Sequence, residues 1–190
     1  QIPPTPRGAV RRRVEQMFQG AAERGDFQLI LLRAGDFYGP GTTADWFDQI
    51  VMREIKARKV SLNGVAGIGH SWAYLPDLAR AFEALAAVRT TLGHFERFHF
   101  AGHYVTPEQM GAAIVKAAPV KLKTGIFPFW MLRGYGLVDP VVREVVKMRY
   151  SWTHPLKLAD PRLDEILGKG FNTPFDVAVE ATVKPLFEQA

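Results

Sequence analysis

The fold of this chain is decided by the segment LLRAGDFYGPGT at residues 31–42. Residues 27–32 form a nearly unbroken apolar run after Gly25-Asp26, which predicts a short strand buried on both faces. The run ends at Arg33, and glycines and a proline follow. In an open α/β sheet this is the carboxyl end of a strand, where ligands bind. The alternative is a strand that ends in an ordinary glycine-proline turn.

Composition limits the class of protein. A chain of 190 residues, 47% of them hydrophobic, can form one domain or one and a half with a substantial core. The net charge is +5, and its densest part, Arg11-Arg12-Arg13, is expected to be a solvated helix face, so we expect no nucleic-acid partner. The absence of cysteine excludes disulfides and thiolate catalysis and fits a reducing cytoplasm. No apolar run approaches the length of a membrane span, so we expect no membrane partner.

The first segment of the chain predicts a long amphipathic helix. A proline-rich stretch at 1–8 leads into it, and Gly25 ends it. One apolar stripe is expected to be buried: Val10, Val14, Met17, Phe18 and Ala21. A helix followed by a parallel-type strand needs neighbouring strands, and nothing earlier in the sequence supplies them. The sequence therefore resembles a domain whose first strands are missing.

The middle of the chain alternates helices and strands. Residues 45–55 predict a helix capped by Thr42 or Thr43, and residues 59–64 predict a strand and turn. The glycines at 64–69 resemble a phosphate loop, but an extended segment follows them instead of a helix, so a hairpin-like turn is favoured. A helix begins near Pro76, with a stripe expected to be buried: Leu78, Phe82, Leu85 and Val88. Residues 95–101 alternate apolar and polar side chains and predict another strand.

The second half is predicted to be mostly helical. Thr106-Pro107-Glu108-Gln109 is a capping box with proline at the first helical position. Asp139-Pro140, Asp160-Pro161 and Thr173-Pro174 are three further helix starts, of which the second helix is expected to end at Gly168 and the third to reach the C-terminus.

Two ordered motifs resemble one family. LRAGDFYGPG at 32–41 resembles the "LRxxNVYGPG" segment of extended short-chain dehydrogenases/reductases, the NAD-dependent epimerase/dehydratase family. WAYLPDLARA at 72–81 resembles the "FVYVDDVARA" segment of that family, and the spacing between the two also fits. Leu167-Gly168, Phe171 and Thr173-Pro174 resemble its C-terminal "LG-(x)-PT" ending.

The resemblance implies an α/β fold: the C-terminal part of a Rossmann-like, doubly wound sheet plus a small, mostly helical substrate-binding subdomain. Residues 1–42 and 70–103 would belong to the NAD(P)-binding domain, and residues 43–69 and 104–190 to the substrate-binding subdomain. The glycine-rich dinucleotide turn of the family lies upstream, so we expect a longer protein, by about a hundred residues from the usual βαβ architecture. The implied cofactor is NAD or NADP, since the residues that choose between them also lie upstream.

The resemblance also locates catalytic positions. The family uses Tyr-x-x-x-Lys, in which the tyrosine exchanges a proton with the substrate and the lysine lowers its pKa and holds the ribose. In the family a glutamate usually follows the lysine by four positions, so counting back from Glu15 places Arg11 at the lysine position and Arg7 at the tyrosine position. Arg11 still supplies charge and hydrogen bonds, but Arg7 is no ordinary acid. Tyr38 is the nearest alternative hydroxyl, with a structural role as the competing interpretation, and a solvated helical turn is the competing interpretation for both arginines.

Four further residues are expected at the site. Ala34 and Gly35 would lie beside the nicotinamide of the cofactor, following the resemblance. Asp36 replaces an asparagine that faces substrate, or it caps the turn at Thr42 and Thr43. His70 replaces the arginine of nucleotide-sugar members, which weakens the case for a nucleoside-diphosphate substrate.

The remaining features leave alternatives open. The aromatic segment 126–132 with Tyr135 predicts a less polar substrate, a packed subdomain interface or a homodimer contact. The spacing of His94, His99 and His103 matches no zinc pattern, so no metal is expected. The functional prediction is an NAD(P)-dependent epimerase/dehydratase-like oxidoreductase for a small carbonyl or sugar-like substrate, and the alternative is a non-catalytic NAD(P)-binding or sensing protein of the same fold.

Overall fold

A computed structural model describes residues 6–43, 45–127 and 150–188. The α-helices in these ranges are α1 Pro6–Glu23, α2 Leu75–Ala87, α3 Pro107–Ala117, α4 Tyr150–Thr153, α5 Pro161–Leu167, α6 Phe175–Val183 and α7 Pro185–Glu188. The strands are β1 Leu29–Arg33, β2 Asp36–Tyr38, β3 Lys59–Leu62, β4 His70–Tyr74, β5 Phe95–His99, β6 His103–Val105 and β7 Lys123–Ile126. The predicted α/β fold class is confirmed.

Three small sheets organise the described residues. β1 pairs in parallel with β5, and β3 pairs in parallel with β7. β4 is the centre of the third sheet, parallel to β2 on one side and antiparallel to β6 on the other. The chain passes directly from the first sheet to the third at two places, Ala34-Gly35 and residues 100–102.

β4 separates two apolar clusters because its side chains alternate between two faces. Ala73 faces a cluster formed with α2, β5 and α5, which includes Leu85, Phe98 and Leu163. Trp72 and Tyr74 belong to the other cluster, which is built mainly on α3 and α6. All five β4 residues are buried, so this strand is the structural centre of the chain.

The sequence signals for helix ends are confirmed at α3 and α5. The Thr106 hydroxyl accepts a hydrogen bond from the Gln109 backbone, and the Gln109 side chain accepts one from the Thr106 backbone, so the predicted capping box is confirmed. α5 begins after Asp160, whose carboxylate accepts from the Arg162 backbone, and it ends at Gly168 with φ 79°. The predicted last helix is broken at Lys184-Pro185 into α6 and α7, because proline lacks the amide hydrogen that would continue the helix.

Three predictions about local structure are wrong. Residues 45–55 do not form one α-helix: Phe47–Val51 is a π-helical turn and Ile55–Ala57 a 3₁₀ turn. The cap is the Asp45 carboxylate, which accepts from the Asp48 backbone, whereas the Thr42 hydroxyl donates to the Gly39 carbonyl. Residues 64–69 form a turn between strands of different sheets, so β3 and β4 are not a hairpin.

Burial also differs from the expectation. β1 is half-buried rather than buried on both faces, because in the described ranges only β5 pairs with it. The α1 stripe is largely exposed, as shown by Val10 at 64% and Met17 at 68%. Phe82 is 49% exposed, and Ala81 takes its place in the buried stripe of α2. The predicted helix at Asp139-Pro140 and most of the aromatic segment 126–132 lie outside the described residues. In the described ranges, no helix combines the length and apolar character needed to span a membrane.

Candidate functional site

Helix α1 is anchored to the first sheet by one carboxylate. Glu15 accepts two hydrogen bonds from Arg33 Nη2, at 2.8 and 2.7 Å, and lies 2.5 Å from Arg97 Nη2. Desolvation acts to raise the pKa of Glu15, but the hydrogen bonds and charges of the two arginines outweigh it, so the pKa lies below its ordinary value. Because Arg33 ends β1, this contact fixes α1 at the carboxyl edge of the sheet.

The direction of α1 places its first turns beyond that edge. Phe18 packs edge-on against Phe27, which precedes β1, whereas Glu15 reaches Arg33 at the end of β1, so helix and strand run in opposite directions. Arg11 lies four residues before Glu15, on the same face and about 6 Å further along the helix axis at 1.5 Å per residue. The Arg11 side chain is exposed, and the backbone of Arg7 lies a further turn away, in the first turn of α1.

The chain leaves β1 at this edge through a close backbone contact. A Cβ atom on Gly35 would lie 1.8 Å from the Ser71 carbonyl oxygen of β4, so only glycine fits. Gly102 makes the equivalent approach on the other crossing, where a Cβ would lie 2.2 Å from the Trp72 carbonyl oxygen. The two glycines let both crossings pack directly on β4. Ala34, beside Gly35, is half-buried.

Asp36 and His70 meet in space. Asp36 Oδ2 lies 3.0 Å from His70 Nε2 and accepts a 2.9 Å hydrogen bond from Trp152 Nε1. This distance would make an ion pair only with a protonated ring, and the contact is outside hydrogen-bonding geometry. In the described residues, both ring nitrogens of His70 lack a hydrogen-bond partner. The alternative in which Asp36 caps the turn at Thr42 and Thr43 is wrong, because its carboxylate is directed to His70 and Trp152. Sequence analysis missed Trp152, which lies 116 residues from Asp36.

Tyr38 lies in the interior of the protein. Its side chain is fully buried, and its hydroxyl is 2.8 Å from His103 Nδ1. His103 Nε2 is in turn 2.8 Å from the Thr173 carbonyl oxygen. Burial, with smaller contributions from Asp77 and Tyr74, raises the pKa of Tyr38 far above its ordinary value. The hydroxyl therefore has no access to a substrate in this structure, and the structural alternative fits its position.

Asp77 fastens the C-terminal segment to α2. Its buried carboxylate accepts from the Thr173 backbone and hydroxyl, both at 2.8 Å, and from Arg80 at 2.6 Å. The two motifs at 72–81 and 167–174 are thus joined by direct contacts.

The other predicted histidines lie apart from this site. His94 is exposed, whereas His99 lies 3.8 Å from the Asp160 carboxylate. Within 6–43, 45–127 and 150–188, no three side chains converge as a metal site would require.

Comparison with known proteins gives the fold class. No family model and no curated protein sequence matches this chain. Among solved structures, it is similar to a UDP-glucuronic acid 4-epimerase from Bacillus cereus in complex with UDP-glucuronic acid and NAD, with a TM-score of 0.71 and 14% identity over 100% of this chain and 55% of that one. It is also similar to a UDP-glucose 4-epimerase from Thermus thermophilus in complex with NAD, with a TM-score of 0.69 and 17% identity over 98% and 55% of the two chains.

A dehydrogenase shares the same similarity. An L-threonine dehydrogenase from Phytophthora infestans matches with a TM-score of 0.70 and 17% identity, over 96% of this chain and 56% of its own. The chain therefore has a Rossmann-like α/β fold similar to that of these epimerases and this dehydrogenase, as predicted. It spans about half the length of the structures it matches.

Proposed function

We propose that this chain is the C-terminal half of an NAD(P)-dependent oxidoreductase or epimerase of the extended short-chain dehydrogenase/reductase family, acting on a carbonyl or sugar-like substrate. One observation carries the proposal. The Glu15–Arg33 contact anchors α1 so that its first turns extend beyond the carboxyl end of β1. In open α/β sheets that edge is the ligand-binding edge.

Arg11 is the proposed cofactor contact of this half. Glu15 is already paired with Arg33 and Arg97, so it leaves the Arg11 charge available to the ribose or phosphate of a dinucleotide. Ala34 and Gly35 are proposed to pass beside the nicotinamide, which would supply or accept a hydride. The epimerases named above, which share the fold, contain NAD, and this supports the cofactor class.

Arg7 is proposed to act as a cation at the substrate rather than as an acid. A guanidinium does not deprotonate near neutral pH, but it stabilises negative charge that develops on a substrate oxygen. Asp36 and His70 are proposed to bind the substrate itself, because they meet at the start of β4 next to the Gly35 crossing.

The alternative is a dinucleotide-binding or sensing protein without catalysis. The observation that favours it is the burial of Tyr38, whose hydroxyl is bound to His103 and does not replace the missing tyrosine. The two functions differ in turnover. Incubating the full-length protein with NADH or NADPH and a panel of carbonyl compounds, while following the nicotinamide absorbance, separates them.

If the protein is an enzyme, it should oxidise NADH or NADPH when a substrate is present, and Arg7→Tyr should increase the rate because it restores an acid. If it is a sensor, it should bind a dinucleotide tightly and show no turnover across the panel. Binding of neither dinucleotide would overturn both.

The domain boundaries and the partner follow as parts of the same proposal. Residues 1–42 and 70–103 belong to the NAD(P)-binding domain and residues 43–69 and 104–190 to the substrate-binding subdomain. The two apolar clusters follow this division in the main. Among their buried members, the exceptions are Leu163, which packs with the proposed NAD(P)-binding residues, and Tyr38, Trp72 and Tyr74, which pack with the proposed substrate-binding subdomain. The exposed apolar face of α1 supports a further protein contact there, from the upstream half or from a second subunit of a cytoplasmic homodimer.

A further inference from the structure

Two buried polar side chains line one small cleft without hydrogen-bond partners. Asn63 and His70 are each 7% exposed, and Asn63 Nδ2 and both ring nitrogens of His70 have no partner in the described residues. Both residues line the same cleft, between the end of β3 and the start of β4. Buried polar groups in native proteins are almost always hydrogen-bonded. Two residues with such atoms in the lining of one cleft indicate that it holds a polar group from outside the chain.

The size of the cleft limits that group. Its free volume is about 10 Å³, which accommodates one water-sized group. Two glycines keep the walls close: a Cβ on Gly69 would lie 2.4 Å from the Tyr104 ring, and one on Gly64 would lie 3.0 Å from Pro107 Cγ. A single hydroxyl oxygen fits this space, whereas a phosphate, with its four oxygens, does not.

The charges around the cleft select a neutral group. Asp36 Oδ2, which already accepts from Trp152, lies 3.0 Å from His70 Nε2. In the neutral ring, a carboxylate 3.0 Å from Nε2 favours the tautomer with the proton on that nitrogen, even though the contact is outside hydrogen-bonding geometry, so Nδ1 is left as an acceptor. Asn63 Nδ2 is a donor. Asp36 does not line the cleft, but its carboxylate lies against two residues that do, His70 and Trp152, and this negative charge disfavours an anion there. A hydroxyl can accept from Asn63 and donate to His70.

We propose that the Asn63–His70 cleft binds one neutral hydroxyl group of the ligand and excludes phosphate. The designation of that ligand as the substrate rests on the proposed function. The hydroxyl selectivity rests on the cleft alone. This selectivity gives Asn63 a specificity-determining role. The ligand would then carry a hydroxyl group at the cleft, and any phosphate on it would lie outside the cleft.

The test uses the full-length protein, labelled with ¹⁵N-histidine and freed of dinucleotide. Long-range ¹H–¹⁵N spectra report the histidine ring nitrogens, and His70 is assigned by its loss in His70→Gln. The probes are methanol, which carries one hydroxyl, acetonitrile as a similar molecule without one, and inorganic phosphate. We expect His70 to carry its proton on Nε2, and methanol alone to shift Nδ1 in a saturable manner.

Asn63→Ala is expected to weaken methanol binding about three- to tenfold, the effect of one lost hydrogen bond. Asn63→Leu keeps the shape without the donor and serves if the alanine variant does not fold, and Asn172→Ala, at an exposed asparagine outside the cleft, is the matched control. The proposal is overturned by a saturable phosphate shift, by a methanol shift that is not saturable or that survives both Asn63 variants, or by a proton on Nδ1. Because no dinucleotide is present, a failure here is distinct from a failure of dinucleotide binding.

Discussion

Replacement of Glu15 by glutamine tests how α1 is held at the carboxyl edge of β1. The change keeps the size of the side chain but removes the charge that pairs with Arg33 and Arg97. Charge-assisted hydrogen bonds contribute about 1.5–3 kcal/mol each. The arginine side chains are 45% and 35% exposed, so solvent screens much of this energy. We therefore expect Glu15→Gln to lower the free energy of unfolding by about 1–2 kcal/mol.

Thermal or urea unfolding of the chain measures this loss. At about 2–4 °C per kcal/mol for a chain of this size, the melting temperature should fall by about 2–8 °C. Glu23→Gln is the matched control, because Glu23 lies on the same helix and, among the residues that the structure describes, makes only an exposed hydrogen bond with Gln19. Equal effects of the two substitutions would refute the anchoring role of Glu15.

The stability difference between wild type and Glu15→Gln should depend on pH. The pKa of Glu15 is lowered in the folded state, so its stabilisation is complete above the ordinary glutamate pKa of about 4.3 and is lost as the pH falls through the lower folded pKa. The stability difference between wild type and Glu15→Gln should therefore disappear in acid. A difference that stays constant down to pH 2 would contradict the assigned charge pairing.

Three further substitutions test the packing around β4 and α3. Gly35→Ala should destabilise the fold by more than about 3 kcal/mol, because its Cβ would lie 1.8 Å from the Ser71 carbonyl oxygen. The control Gly125→Ala, whose Cβ has space, should change stability by less than about 1 kcal/mol, and equal urea midpoints for the two variants would refute the close approach. Tyr38→Phe should lower the free energy of unfolding by about 1–3 kcal/mol, because it leaves His103 Nδ1 without its partner. The control Tyr104→Phe, at a 41% exposed tyrosine, should be nearly neutral. An unchanged melting temperature in Tyr38→Phe would contradict the buried hydrogen bond. Thr106→Ala removes the cap of α3 and should cost about 1 kcal/mol by urea unfolding, and an unchanged midpoint would argue against the capping box.

Local chemistry accounts for what the sequence predicted well. The capping box at Thr106 and the proline-marked start of α5 depend on contacts within four residues, so the residue pattern contains the whole interaction. The sequence predicted the extended segment that forms β4 and the helix that follows it, but it did not predict β2, which lies where a turn was expected.

The failures have non-local causes. A 3.6-residue pattern over 45–55 did not reveal the π-helical turn, because packing of Phe47 and Val51 in the core overrides helix periodicity. The apolar stripe of α1 predicted burial, but burial needs a partner surface, and the described residues cover little of that face. Trp152 and Asn63 join Asp36 and His70 only through tertiary folding, so no sequence window contains the site.

In the proposed function, the first turns of α1 and the end of β1 form half of a dinucleotide site. Titration of the full-length protein with NADH and NADPH, followed by nicotinamide fluorescence, measures this binding. We expect one or both dinucleotides to bind, about tenfold more weakly in Arg11→Ala because a charged hydrogen bond is lost. We expect no change in Arg12→Ala, whose equal charge points to another side of the helix. Equal weakening by the two substitutions, or no binding of either dinucleotide, would contradict this proposed site.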